Sequence, residues 1–370
     1  MSPELITEES ALADLCRDLR NADWLAVDTE FLRERTYRAR LCLVQVATPG
    51  LVACIDPLAL GSLAPLMVLL QAPTVRKVLH AARQDLEVFY DLEARVPAPL
   101  FDTQIAAAYL GHDDQIGYGA LVQTVTGHTL EKTQTRTDWS RRPLSTAQLE
   151  YAADDVRYLR PVYAQLTEQL AASGRQAWVD DDCARLTDAA RYDTNPDHAW
   201  QRLRGGADLP PPQQQVLRAL AVWRERTAQE RDRPRSWIVR DEVLFELARR
   251  LPATLQALHG ISGLDERTVS RHGAALLDAI DEGRHAEAVV VWERTPPLDR
   301  QQNEHVRQLM AHVRELAQQQ RLAPAVLATR RDIEKLVRGA DPTQLFTGWR
   351  AELLTPLLEA ARPAAGLGRT

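Results

Sequence analysis

The sequence predicts a mixed α/β domain with a largely buried sheet, followed by two small all-α helical domains. Three observations lead to this prediction. Segments typical of strands and of helices alternate over the first ~200 residues, strand signals almost disappear after about residue 170, and the later helical pattern repeats weakly. The length of 370 residues fits two or three domains, since a domain usually takes roughly 100–200 residues.

The α/β part alternates short strands with amphipathic helices. The predicted strands are residues 24–31, 41–47, 51–56 and 75–80. The predicted helices are residues 5–20, 63–70, 82–90, 103–110 and 145–166. Thr48, Pro49 and Gly50 alone separate the second and third strands, which predicts a hairpin. Ser145 and Gln148 form a capping box, so the last helix has the clearest start.

The chain beyond residue 212 has only helical patterns. A run of three prolines at residues 210–212 precedes it, and apolar residues then recur at three- and four-residue spacings. Residues 240–243 resemble residues 330–333, an offset of 90 positions, and Pro252 corresponds to Pro342. Chance similarity between amphipathic helices is the alternative to a true repeat. The predicted domains are residues 1–205, 209–285 and 295–365.

Composition argues against a membrane protein and a disulfide scaffold. No apolar run approaches the roughly 18–20 residues of a membrane span. The N-terminus has no basic region followed by an apolar run, so it does not resemble a signal peptide. The four cysteines form no C-x-x-C pair and are Cys16, Cys42, Cys54 and Cys183. Scattered cysteines of this kind predict a cytoplasmic protein.

The net charge of −6 counts mildly against a nucleic-acid partner, because many nucleic-acid-binding proteins are basic. A local basic face can nevertheless coexist with an acidic total. An active site built from carboxylates also adds negative charge of its own. The charge balance therefore leaves a nucleic-acid enzyme open.

Asp28 and Glu30 lie two positions apart on the predicted strand 24–31, so their side chains point to the same face. Two adjacent carboxylates repel each other unless a positive charge lies between them. Mg²⁺ binds oxygen ligands and often takes only one or two carboxylates plus substrate phosphate. The pair therefore suggests a metal site, and a solvated strand end is the alternative.

Three further residues extend this possible site. Asp85 follows the strand 75–80 and lies in the first turn of the next helix, where compensation of the helix dipole is the alternative role. Tyr151 and Asp155 are four residues apart on the last helix, so they share one face. Asp154 is rotated about 100° from Asp155, because an α-helix has ~3.6 residues per turn. An ordinary surface pair is the alternative for Tyr151 and Asp155.

The combined spacing is far more specific than any single residue. A D-x-E on a strand, then Asp85, then Y-x-x-x-D, resembles the DEDD exonuclease superfamily, Tyr subgroup. The segments that resemble the three exonuclease blocks of the ribonuclease D family are WLAVDTEFLRERTYRARLCLVQVA, KVLHAARQDLEVFY and TRTDWSRRPLSTAQLEYAADDVRYLRPVY. The helical units resemble the helicase-and-RNase-D C-terminal domain, present twice, with the second copy degenerate. The resemblance implies a ribonuclease H-like mixed sheet flanked by helices.

The resemblance also implies a mechanism. The chain would be a 3′→5′ exoribonuclease that uses two divalent ions, Mg²⁺ or Mn²⁺, and releases nucleoside 5′-monophosphates. Asp28 would bridge the two ions, and Glu30 and Asp155 would hold the ion that activates water. Asp85 would support the second ion, and Tyr151 would orient the attacking water. The expected partner is RNA, in particular tRNA precursors with 3′ extensions, with neither a membrane nor an obligate protein partner.

Residues for substrate binding are less clear. Thr29 is a candidate contact for the terminal nucleotide, and His80 is a candidate for phosphate or a buried structural histidine. Two basic and aromatic segments have the composition of single-strand binding loops, with solvated loops as the alternative. These segments contain Arg33, Arg35, Tyr37 and Arg40, and Arg136, Trp139, Arg141 and Arg142. The first helical domain is basic, which suggests an RNA-binding accessory or, alternatively, a packing module.

Two other functions stay open at the level of sequence. A DNA 3′→5′ exonuclease would use the same carboxylates, and only contacts to the 2′-hydroxyl would separate it from an RNA enzyme. A non-catalytic nucleic-acid-binding scaffold is the other alternative. The intact carboxylate set argues against a scaffold, since a dead homologue would be free to lose some of it.

Overall fold

The computed structural model describes residues 3–130 and 137–360. Its one sheet has six strands in the order β1-β4-β3-β2-β5-β6. The strands are β1 Glu4–Ile6, β2 Trp24–Leu32, β3 Arg40–Thr48, β4 Leu51–Ile55, β5 Arg76–Leu79 and β6 Leu100–Asp102. β3 and β4 are antiparallel, whereas β1–β4, β2–β5 and β5–β6 are parallel. The sheet is therefore mixed, and the predicted hairpin is confirmed.

The structure corrects the sequence prediction at both edges of the sheet. Residues 4–6 form β1 and pair in parallel with β4, although the sequence predicts Leu5 and Ile6 to begin a helix. Residues 100–102, assigned to no element, form β6 beside β5. Both strands have only three residues, and their hydrogen bonds go to neighbours distant in sequence. Such short edge strands carry no periodic pattern that sequence analysis can detect.

Helices cover the sheet. The helices of this part are α1 Glu9–Leu19, α2 Ala64–Leu70, α3 Arg83–Glu93, α4 Thr103–Ala108, α5 Tyr118–Thr126, α6 Thr146–Arg157, α7 Leu159–Ala172 and α8 Gln176–Leu186. The predicted helix 145–166 is thus two helices that meet at Tyr158. Pro161 explains the break, because proline has no N–H to donate to the carbonyl four residues earlier. Ser145 and Gln148 form the predicted capping box.

The chain divides into two compact units. The first, here called the sheet unit, takes the described residues within Met1–Phe31, Leu41–Arg191 and Pro297–Thr370. The second, here called the helical unit, takes Leu32–Arg40 and Tyr192–Pro296. The units depart from the predicted domains in three places, the first being residues 192–205, which belong to the helical unit. The loop after β2 belongs to the helical unit, and the third predicted domain belongs to the sheet unit.

Two long helices, Pro211–Glu230 and Glu266–His285, pack against each other at the centre of the helical unit. Its α-helices are α9 Pro211–Glu230, α10 Arg235–Ile238, α11 Asp241–Arg250, α12 Leu255–Leu258 and α13 Glu266–His285. Gly283 allows the two long helices to approach closely, because a β-carbon there would stand 2.5 Å from Cα of Val216. Leucine, isoleucine and valine side chains from all five helices form one core. These helices therefore bury an apolar centre of their own.

The loop 32–40 enters this core through one aromatic side chain. Tyr37 is only 8% exposed and packs with the apolar side chains of the helical unit. Its hydroxyl donates to Glu225 and accepts from Arg235, whose guanidinium lies 4.7 Å from the ring centroid. Asp232 accepts the backbone N–H groups of Tyr37 and Arg38. The aromatic residue of this segment is therefore a structural anchor and is not available for base stacking.

The C-terminal helices pack on the sheet unit. They are α14 Arg300–Gln320, α15 Pro324–Leu327, α16 Arg330–Val337, α17 Pro342–Leu345 and α18 Trp349–Ala360. Trp349 stacks on Trp178 of α8 at 4.3 Å between centroids, and Arg350 forms an ion pair with Asp182. Tyr109 donates to the same carboxylate at 2.6 Å. These helices are part of the unit that contains the sheet.

No described helix has the length and apolar character that crossing a membrane requires. The longest described helix, α14, carries charged residues along its length.

Candidate active site

The strand β2 presents the first two candidate residues. Asp28 and Glu30 are partly exposed, while the preceding residues Leu25, Ala26 and Val27 are fully buried. Burial raises the pKa of Asp28 well above its usual range, and three neighbouring carboxylates raise it further. Burial together with Asp155 and Asp85 raises the pKa of Glu30 to about 8. The two side chains therefore lie in a largely enclosed and strongly acidic environment.

Asp85 joins this environment from the first turn of α3. Its carboxylate is buried and accepts a 2.5 Å hydrogen bond from the hydroxyl of Thr29. Burial raises the pKa of Asp85 to about 7, although the hydrogen bond from Thr29 lowers it. Thr29, which lies between Asp28 and Glu30 on β2, thus holds the carboxylate of Asp85 in place.

The helix α6 contributes the remaining two residues. Burial and the neighbouring Asp154 raise the pKa of Asp155 to about 7. Burial, Asp155 and Glu30 raise the pKa of Tyr151 above its usual value, so its phenol stays protonated at neutral pH. The ring of Trp139 lies 6.2 Å from that of Tyr151 and limits its orientations. Tyr151 is therefore a hydrogen-bond donor beside the acids.

The four carboxylates offer only oxygen donors, which are the ligands that Mg²⁺ prefers. Asp85, Asp155 and Glu30 each raise the pKa of Asp28, so these three acids lie within electrostatic range of Asp28. Within residues 3–130 and 137–360, no group of three or more histidine, cysteine or acidic side chains is arranged so that it could by itself hold a metal ion. Mg²⁺ often binds through only one or two carboxylates, with waters and substrate oxygens as its other ligands, so the oxygen donors present suit it chemically. A divalent cation would relieve the mutual repulsion.

The two candidate substrate contacts have other partners. The hydroxyl of Thr29 donates to Asp85 and its side chain is buried. In His80, Nε2 lies 3.1 Å from the carbonyl of Ile116 and Nδ1 lies 2.9 Å from the hydroxyl of Thr103. Nε2 faces a carbonyl oxygen, which can only accept, so Nε2 is the donor, and burial lowers the pKa of the ring. These bonds favour the structural alternative for His80.

The basic segment before α6 is also engaged in structural contacts. Arg142 donates to both carboxylate oxygens of Asp56, at 2.6 and 2.7 Å, and to the carbonyl of Cys42. Trp139 is buried, and Arg141 pairs with Asp138. Arg136 lies outside the described residues. Within the described part of this segment, the side chains stabilise the loop.

Sequence analysis missed two residues that border the site. Tyr118 begins α5, and its hydroxyl donates to the carbonyl of Asp154 at 2.9 Å. Asp102 accepts backbone N–H groups at the start of α3, the helix that carries Asp85. Asp102 directly precedes the predicted helix 103–110, and aspartate at that position is an N-cap signal. This signal indicates the bonds of Asp102 to α4 but not its bonds at the start of α3.

Comparisons with known proteins give the family of the chain. A family model described as 3′-5′ exonuclease matches residues 3–171, and one described as HRDC domain matches residues 213–280. A ribonuclease D of Granulibacter bethesdensis is 41% identical, over 95% of this chain and 90% of that protein. Escherichia coli RNase D, described as an exoribonuclease involved in structured RNA processing, superposes with a TM-score of 0.86 at 34% identity, over 98% of both chains. The chain belongs to the ribonuclease D family.

A second relative extends the match to nearly full length on both sides. A ribonuclease D of Cronobacter turicensis is 36% identical, over 96% of this chain and 98% of that protein. As a member of the ribonuclease D family, the chain is a 3′–5′ exoribonuclease, as predicted. The predicted fold class is also confirmed, with a mixed sheet flanked by helices and a C-terminal helical region that includes an HRDC domain.

Proposed function

We propose that four carboxylates and one tyrosine form the catalytic site of this exoribonuclease and that the carboxylates hold two divalent ions, Mg²⁺ or Mn²⁺. The proposed ligands are Asp28, Glu30, Asp85 and Asp155. The observation that carries the proposal is that β2, α3 and α6 bring Glu30, Asp85 and Asp155 within electrostatic range of Asp28. Neighbouring carboxylates disfavour each other's charged form, and a bound cation would offset this repulsion.

Each side chain has a defined task in phosphodiester hydrolysis. Two metal ions, when bound, activate the attacking water and stabilise the leaving oxygen. The carboxylates of Asp28 and Glu30 bind cations when deprotonated. Thr29 keeps Asp85 oriented through its hydrogen bond. Tyr151 stays protonated, so it orients the attacking water as a hydrogen-bond donor and does not remove its proton.

We infer that the substrates are the 3′ ends of tRNA precursors and other small structured RNAs. The support is membership of the ribonuclease D family and the similarity to E. coli RNase D, which is described as processing structured RNA. The proposed site of action is the cytoplasm. Four buried, unbridged cysteines support this proposal, because reduced thiols persist there.

One experiment tests the reaction and the direction together. The full chain is incubated with a 3′-extended tRNA, the matched DNA and a circular form of the RNA, with Mg²⁺, with Mn²⁺ or with EDTA. We expect nucleoside 5′-monophosphates from the linear RNA only, and only with metal. Undiminished hydrolysis in EDTA would overturn the metal site, and cutting of the circle would overturn exonuclease action. Faster hydrolysis of DNA than of RNA would favour a DNA substrate.

A further inference from the structure

Asp102 is a buried acid outside the proposed ligand set. It is the last residue of β6 and is only 2% exposed. Oδ1 accepts the backbone N–H groups of Ala81 and Gln104 at 3.1 and 2.8 Å, and Oδ2 accepts that of Ala82 at 2.9 Å. A weaker bond from the N–H of Ile105 is 3.4 Å long. One carboxylate therefore binds the starts of two helices, α3 and α4.

The bonds to Ala81 and Ala82 hold an unusual turn. Ala81 has φ of 53°, in the left-handed region that residues with a β-carbon rarely adopt. Ala82 is the N-cap of α3, yet its own side chain cannot accept a hydrogen bond from the helix. Asp102 thus accepts, from a neighbouring strand, the N–H groups of the N-cap residue and of the residue before it. Asp85 lies only three residues after Ala82.

The platform that carries Asp102 is itself well anchored. Asp102 is directly opposite Leu79 in the parallel pairing of β5 and β6, so the ends of both strands lie side by side. Its backbone N–H donates to Sγ of the buried Cys183. The carboxylate also caps α4. Because the acceptor cannot shift without disturbing the sheet, it restrains the turn that leads into α3.

We propose that Asp102 is a positioning residue for the metal site, acting through the Ala81–Ala82 turn to set the place of Asp85. The inference depends on the proposed role of Asp85 as a metal ligand. Asp85 is then held from two sides, with Thr29 bonding its carboxylate and Asp102 restraining its helix start. Partners that orient metal ligands typically contribute about 10–100-fold to metal affinity or activity.

Asp102→Asn is a selective test. An asparagine oxygen in the place of Oδ1 still caps α4, because asparagine is as good an N-cap as aspartate. The amide nitrogen then faces the N–H of Ala82, so that hydrogen bond is lost. Asp265→Asn is the matched control, since Asp265 caps α13 of the helical unit by accepting from Thr268. The full-length proteins are compared by calorimetric titration with Mn²⁺, by thermal melting, and by turnover as a function of Mg²⁺ concentration.

We expect Asp102→Asn to weaken Mn²⁺ binding by about tenfold or more, with turnover recovering as Mg²⁺ is raised. Asp265→Asn should bind Mn²⁺ like the wild type. Unchanged Mn²⁺ affinity in folded Asp102→Asn would overturn the positioning role, as would an equal loss in Asp265→Asn. A wild type that binds no Mn²⁺ would instead defeat the proposed metal site, so the two failures are distinct.

A second measurement needs no variant and applies if Asp102→Asn does not fold. Amide hydrogen exchange of the wild-type protein reports whether the N–H groups of Ala81 and Ala82 are held. We expect both to exchange as slowly as the amides inside α3, because each has a buried acceptor. Exchange at the rate of an exposed loop would contradict the proposal.

Discussion

Asp154 and Asp155 are chemically identical neighbours with different surroundings. Asp154 pairs with Arg157 one turn along α6, and its carbonyl accepts the hydroxyl of Tyr118. Asp155 is among the groups that raise the pKa of Asp28 and Glu30. The rotation of about 100° per residue separates them, as helix geometry predicts.

A pair of substitutions uses this difference. We expect Asp155→Asn to lower turnover by more than about 100-fold with the fold intact, because it removes a proposed metal ligand. Asp154→Asn should stay within a few-fold of wild type, since a partly exposed ion pair is worth at most about 1 kcal/mol. Steady-state rates together with circular dichroism measure both effects. Equal inactivation of two folded variants would show that the proposed catalytic face of α6 is misassigned.

The raised pKa of Glu30 predicts a pH-dependent cost in the metal-free protein. Its pKa rises from 4.5 to about 8, so the folded state binds the proton more tightly than the unfolded state. The resulting stability is present below the unfolded pKa and is lost as pH rises through about 8. A shift of this size corresponds to about 5 kcal/mol, and solvent screening of the partly exposed side chain reduces it. In EDTA at about pH 8.5, Glu30→Gln should therefore be more stable than wild type by on the order of 1–2 kcal/mol.

Thermal or urea unfolding across about pH 5–9 checks this prediction, with the gain shrinking toward the acidic end. Glu34→Gln is the control, because Glu34 is exposed and the substitution removes the same negative charge. A gain that is equal for both variants would point to net charge instead of the local site.

At the scale of elements, the loop 32–40 is anchored within the helical unit by Tyr37. Glu225 is only 1% exposed as a side chain and is shared by Tyr37, Arg202 and Arg235. Tyr37→Phe keeps the ring but removes the donor to this buried acid. We expect a loss of about 1–3 kcal/mol in the free energy of unfolding, because a charged group loses a hydrogen bond.

The control for this prediction lies in the same loop. Thr36 donates to the carbonyl of Arg38 in an exposed hydrogen bond, so Thr36→Val should cost less than about 0.5 kcal/mol. Urea unfolding of both variants compares them directly. Equal stability of Tyr37→Phe and wild type would contradict the anchoring role of Tyr37.

At the scale of the whole molecule, the C-terminal helices complete the sheet unit. Removing residues 297–370 would uncover Tyr109 and Trp178 and leave Asp182 without its Arg350 partner. We therefore expect the truncated chain to melt several degrees below wild type, as a loss of a few kcal/mol does in domains of this size. Arg350→Ala should show part of the same loss, because a half-buried acid loses one of its two ion pairs and keeps only Arg185 and the hydroxyl of Tyr109.

Differential scanning fluorimetry of the two altered proteins measures this contribution. Arg330→Ala serves as the control, since its ion pair with Glu334 lies on the exposed side of α16. A truncated chain that melts like wild type would show that residues 1–296 already form a complete core, in line with the sequence-based boundaries.

Much of the site was accessible from the sequence because its signals are local. The D-x-E spacing on a strand, the Y-x-x-x-D spacing on a helix, and the hairpin at residues 48–50 follow from the periods of β and α structure. The capping box at Ser145 and Gln148 is equally local. Together these patterns indicated the α/β class and several candidate site residues, and the combined spacing with the three exonuclease blocks carried the resemblance to the ribonuclease D family.

Only the tertiary structure decided which distant segments share partners. Thr29 bonds Asp85 across 56 positions, and Tyr37 bonds Glu225 across 188. The N–H groups of Ala81 and Ala82 find their acceptor in Asp102, about 20 positions away. A sequence pattern reports the period of one element and the face it buries. The partner of a buried polar group is chosen by packing and by the need to satisfy every hydrogen bond, and both depend on the folded chain as a whole.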